Sequence, residues 1–149
     1  MVIKFEVPCV PVAQPRQRHS LFNGHVRNYI PKTDPVWVFK TALGIAASEV
    51  RPDVVIAGPI SVKLDFVFPR TKSMIWKNKP MIRVPKDTKP DIDNLCKSVF
   101  DALNGILFVD DSQIWECRAS KYIASGNEQP RVIITIEEIC KRLSEVSHV

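Results

Sequence analysis

The 149-residue sequence has no apolar run long enough to cross a membrane as a helix, which excludes a helical span. It shows no secretory leader either. Residues 1–8, MVIKFEVP, alternate charged and apolar side chains where a leader carries an unbroken apolar segment, so they read as a strand and the protein is expected in the cytoplasm. The four cysteines, Cys9, Cys96, Cys117 and Cys140, form no CxxC and have no histidine at metal-ligand spacing. That excludes a zinc site or a redox pair and leaves free buried thiols as the expectation. His19, His25 and His148 cluster with neither a cysteine nor a nucleophilic serine, so a hydrolytic triad has no support. A glycine-rich phosphate loop, internal repeats and low-complexity tracts are also missing. Metal chemistry through oxygen ligands is what remains.

What is present is an ordinary globular composition, 45% hydrophobic and 25% charged, which fits one domain over residues 1–149 rather than a disordered or fibrous chain. Ile3, Phe5 and Val7 alternate with Lys4 and Glu6 at the period of a half-buried strand, and Pro8, Pro11 and Pro15 end it. Pro35 opens a helix that continues through Val36, Phe39, Leu43 and Ala47 to about Val50. A second strand runs from Ile60 to Phe68 and stops at Pro69. Apolar residues at Leu95, Cys96, Val99 and Leu103 then recur at helix spacing until Asn104-Gly105. Strands follow at 114–123 and 132–136, read as an antiparallel hairpin, and a short helix closes the chain. The order is β-α-β-loop-α-β-β, an α/β (α+β) fold in which helices flank a mixed β-sheet.

The formal charge of +5 is concentrated in two segments. Arg16, Arg18, Arg27 and Lys32 lie in a stretch without acids, with Asn23-Gly24 as a turn. Arg70, Lys72, Lys77, Lys79, Arg83, Lys86 and Lys89 face the single acid Asp87 in a long, aperiodic loop. A basic loop is often only a solvated surface. This one leads directly into a concentration of acids, a layout suited to gripping a phosphate backbone beside a metal.

Those acids lie in the stretch 89–114, KPDIDNLCKSVFDALNGILFVDDSQI, with Asp91/Asp93 at one end of the helix and Asp110/Asp111 beyond the other. Carboxylates are the preferred ligands of Mg²⁺ and Mn²⁺, and several brought together repel unless a cation neutralises them. Within an ideal helix Asp91 and Asp93 would diverge by about 160°, so Asp91 belongs before the first turn. Asp93 then shares a face with Lys97, four residues on. Each acid also has a purely structural reading: Asp91 and Asp93 as caps, Lys97 paired with Asp93 or Asp101, and Asp110 and Asp111 as turn residues.

The D-x-D-N-L-x-K helix start, the D-A-L stretch and the D-D-x-Q strand start resemble the RusA-type Holliday-junction resolvases over about 25 residues. The resemblance implies that Asp91, Asp93 and Asp111 are essential carboxylates, that Lys97 is the essential lysine, and that Asp110 is a lesser neighbouring ligand. It implies Mg²⁺ as cofactor with Mn²⁺ able to substitute, branched four-way-junction DNA as partner, a homodimer making paired symmetric nicks, and a role in recombination and repair. The DNA-binding set expected here is Arg16, Arg18, Arg70, Lys72, Lys77, Lys79, Arg83, Lys86 and Lys89. Trp76 is open to two roles, base stacking or packing. Two rivals remain: a non-catalytic nucleic-acid-binding module whose acids are caps, and a D-x-D sugar-nucleotide transferase, for which the chain is short and lacks a glycine loop.

Overall fold

A computed structural model of the chain describes residues 1–139, so the expected closing helix lies outside the described residues. The alternating N-terminal segment forms β1 (Val2–Val7). Two strands follow within the first basic segment, where the sequence predicts only a turn: β2 (Arg18–Phe22) and β3 (His25–Tyr29). They pair antiparallel around Asn23 and Gly24, whose positive φ angles of 50° and 77° suit the two-residue turns that match strand twist. Helix α1 (Val36–Glu49) is followed by β4 (Ile60–Phe68), a two-residue β5 (Val84–Pro85) and α2 (Ile92–Leu103). The last two strands are β6 (Ile114–Ile123) and β7 (Arg131–Glu138).

The main sheet has the order β1-β7-β4-β6-β5. β7 lies antiparallel to both β1 and β4, whereas β6 runs parallel to β4 through the α2 crossover. This corrects the expected β6–β7 hairpin: β4 sits between them. The physical reason is burial. β4 is the most apolar strand, with Ile60, Val62, Leu64, Phe66, Val67 and Phe68 all buried, and a central position covers it from both sides.

Register aligns the buried residues into rows across the sheet. Phe5 is opposite Ile134, and Ile134 opposite Leu64; Ile3, Ile136 and Val62 form the next row. Phe39 and Leu43 of α1 and Leu95, Val99 and Leu103 of α2 join these rows in one core cluster. Both helices therefore cover the same face of the mixed sheet. Burying such side chains stabilises by about 1.5–3 kcal/mol each before the entropy of ordering is counted.

Candidate metal and nucleic-acid site

α2 begins where the sequence placed its start. Asp91 is the N-cap residue with extended backbone (φ −71°, ψ 142°), and Asp93 lies in the first turn. The lead-in is held from β6: Lys121 Nζ donates to the carbonyls of Thr88 (2.7 Å) and Pro90 (2.8 Å). On its other side, the backbone N–H of Gln14 donates to Asn94 O (2.9 Å), and buried Ser98 donates to Val12 O (2.7 Å). These bonds tie the segment leading to Arg16, Arg18 and the β2–β3 hairpin to the first turns of the acidic helix.

The acids at this end are not spent on structure. Asp91 accepts no helix N–H, and Asp93 Oδ1 accepts only the adjacent Asn94 N–H (2.9 Å). Both are exposed. Among the described residues no ion pair includes Asp91, Asp93, Asp111 or Lys97; Asp101 pairs with Lys40 instead. The donor chemistry, unpaired carboxylate oxygens, suits Mg²⁺ or Mn²⁺.

Asp110 and Asp111 differ from each other. Asp110 Oδ2 accepts from Ser112 N–H (3.1 Å) while Gln113 Oε1 accepts from Asp110 N–H (2.8 Å), a capping box around a short 3-10 turn at 111–113. The bonds from Ser112 hold the Asp110 carboxyl below its ordinary range. Asp111 is exposed and makes no such bond. Gln113 Nε2 pins this turn to the carbonyls of Ile56 (2.8 Å) and Gly58 (2.9 Å), at the end where β4 begins.

The structure does not bring the acidic pairs together. Asp91 lies near Lys121 towards the far end of β6, and Asp111 precedes its beginning; α2 spans the distance with 12 residues, roughly 18 Å. Among the described residues no group of three or more Asp, Glu, His or Cys side chains could hold a metal ion. One chain therefore offers ligands of the right chemistry in two separated places.

The expected DNA-binding set also divides. Arg70 is used internally, donating to the carbonyls of Met74, Ile82 and Ala124, each at 2.9 Å. Its guanidinium also covers the Trp76 ring (4.8 Å), with Lys79 near the same ring (5.4 Å). Trp76 thus organises the loop. Arg83 forms a forked pair with Glu128 and stacks on Tyr122 (4.9 Å), which depresses the Glu128 carboxyl to about 2. Lys86 bonds to Thr88 Oγ1 (2.8 Å) and lies over Phe68. Arg16, Arg18, Lys72, Lys77 and Lys89 are exposed and outside these internal contacts.

Sequence reasoning missed two features here. The β2–β3 hairpin stands apart from the main sheet with exposed Leu21, Phe22 and Val26 near its tip; the Asn23-Gly24 turn was the signal for it. The second is a thiol contact. Cys117 is exposed rather than buried, and its interaction with Cys96 lowers the Cys117 thiol to about 7 and raises that of Cys96. Cys9 is half-buried and pushed up to about 11 by burial. No helix among the described residues is long and apolar enough to cross a membrane.

Comparison with known families fixes the class. Residues 8–137 match the family described as endodeoxyribonuclease RusA, and the chain belongs to that nuclease family. It is also 38% identical over 142 residues to an uncharacterized protein, YqaN, of Bacillus subtilis (strain 168), a match covering 92% of this chain and 96% of that protein.

Proposed function

We propose that this protein is a Mg²⁺-dependent, structure-specific endodeoxyribonuclease that resolves four-way DNA junctions by paired symmetric nicks in recombination and repair. The observation that carries the reading is the α2 start: Asp91 and Asp93 are exposed and free of capping and cation partners, on a helix whose first turns hydrogen-bond the segment leading to Arg16 and Arg18, in a chain of a nuclease family. Asp91, Asp93 and Asp111 are the assigned ligands, with Mn²⁺ able to replace Mg²⁺. Asp110, taken up by its capping box, contributes less.

A divalent cation held by these carboxylates would supply charge neutralisation at the scissile phosphate and an activated water. The remaining work falls to the chain. Lys97, one turn beyond Asp93, donates to a phosphoryl oxygen as charge builds there. Arg16, Arg18, Lys72, Lys77, Lys79 and Lys89 hold the flanking phosphates, and the forked pair of Arg83 keeps their loop in shape.

The test is purified protein with a synthetic four-way junction and a duplex control, with Mg²⁺ and then with EDTA. Paired nicks in the junction alone, abolished by EDTA, are expected. Tight junction binding without cleavage under any divalent metal would favour the non-catalytic binding module instead.

A further inference from the structure

Cys96 and Cys117 are far apart in the sequence, and their spacing matches no redox motif. The fold brings them onto facing surfaces. Across the β4–β6 ladder Cys117 pairs with Val62, Ala119 with Leu64 and Lys121 with Phe66, and those three β4 residues belong to the core beneath the helices. Residues paired in register share a face of the sheet, so Cys117 stands on the helix-covered face. Lys121, on the same face, reaches the carbonyls of Thr88 and Pro90 at the start of α2. From there α2 runs back along β6, as a crossover between parallel strands must, and Cys96 lies just beyond its first turn, packed against the same core.

Accessibility and protection are divided between the two thiols. Cys117 is exposed, whereas Cys96 is half-buried. Each is the strongest influence on the other: their interaction lowers the Cys117 thiol to about 7, which leaves a large share of it as thiolate at neutral pH, and raises that of Cys96. The thiolate is the nucleophile in thiol oxidation, so the reactive sulfur is the one solvent reaches, and its partner stays protected until the first has reacted. Cys9, half-buried and pushed up to about 11, has neither property.

We propose that Cys96 and Cys117 form a site of reversible oxidation, at which hydrogen peroxide converts the two thiols into a disulfide that clamps the first turns of α2 to β6. The Cys117 sulfur attacks one peroxide oxygen; an S–O bond forms, the O–O bond breaks, and the departing hydroxide takes up the proton that Cys117 released. The Cys96 sulfur then attacks the Cys117 sulfenic acid, forming the S–S bond, breaking the S–O bond and releasing a second water with the Cys96 proton. The two sulfurs supply the electrons that reduce the peroxide to water. A thiol reductant reverses the bridge. The clamp grips the helix between Asp93 and Lys97, and it forms whether or not the chain cleaves DNA.

Mass spectrometry and hydrogen exchange on the full chain test this, after hydrogen peroxide and again after dithiothreitol. The oxidised chain should lose about two mass units, with the peptides carrying Cys96 and Cys117 joined within one chain. Amide exchange in the first turns of α2 should slow by about tenfold, and dithiothreitol should restore both readings. A Cys9→Ser/Cys140→Ser chain should behave as wild type, whereas Cys117→Ser, a change at an exposed position, should show neither effect. Oxygen retained on Cys117 without a bridge, a bridge joining two chains, or the same mass loss in Cys117→Ser overturns the site. Unchanged exchange in α2 once the bridge has formed overturns the clamp.

Discussion

At the scale of single residues, position relative to a helix end separates chemistry from structure. Asp91 and Asp110 are both N-cap residues, yet the Asp110 carboxylate closes a capping box while that of Asp91 accepts nothing. Asp91→Asn, Asp93→Asn and Asp111→Asn should each reduce Mg²⁺-dependent cleavage to background in a nicking assay. Junction binding by gel shift should persist or strengthen, since a negative charge near the phosphates is removed. Lys97→Ala should cost about a hundredfold in cleavage rate, the scale of losing one donor to developing charge. Asp110→Ala should instead retain most activity and lose a little stability, because the capping box is broken. Glu128 is a residue whose effect depends on pH. Its carboxyl is depressed from 4.5 to about 2 by Arg83, so its stabilisation is complete above pH 4.5 and lost as pH falls towards 2. Urea denaturation of Glu128→Gln at pH 7 and at pH 2 should show a deficit only at the higher pH.

At the scale of elements, hydrophobic period and punctuation located the framework. The sequence predicts β1, α1, β4, α2 and β6 within a residue or two of their observed bounds, because each has a clear two- or 3.6-residue pattern between prolines or glycines. The hairpin was missed because all but one of its residues are exposed, so no buried face writes an alternating pattern into β2 and β3. The two-residue β5 is too short to carry a pattern at all. Which cations face solvent was equally illegible: Arg70 and Lys72 look alike in sequence, but the loop folds around the first. Replacing Lys72, Lys77, Lys79 and Lys89 with Gln should flatten the salt dependence of junction binding by up to about 0.9 in log–log slope per lost phosphate contact. An unchanged slope would remove the loop from the interface. Ser98→Ala, which removes the buried bond to Val12, should cost about 1 kcal/mol and speed hydrogen exchange at the Gln14 amide, loosening the hairpin's attachment to α2.

At the scale of the whole molecule, metal binding and folding should be linked. A cation that binds only the folded protein stabilises it, by about 1.4 kcal/mol for each tenfold excess over the dissociation constant. Thermal unfolding of wild type should therefore move upward with Mn²⁺ concentration, and that of Asp93→Asn should not. The sequence by itself determined the family, the nuclease class and the mixed fold, since these rest on local spacing: D-x-D before a helix, D-D before a strand, and apolar periodicity between prolines. It also predicted Asp91 before the first turn, where it stands as the N-cap, because inside a helix the two acids would face apart. Tertiary structure alone decided that β4 separates β6 from β7, that Arg70 and Arg83 turn inward, and that the two acidic pairs stay apart. The physical reason is that residues close in sequence are fixed by local geometry, whereas strand order and the direction of a crossover helix depend on which faces are buried together. Acids that read as one cluster along the chain are held a helix length apart by that packing.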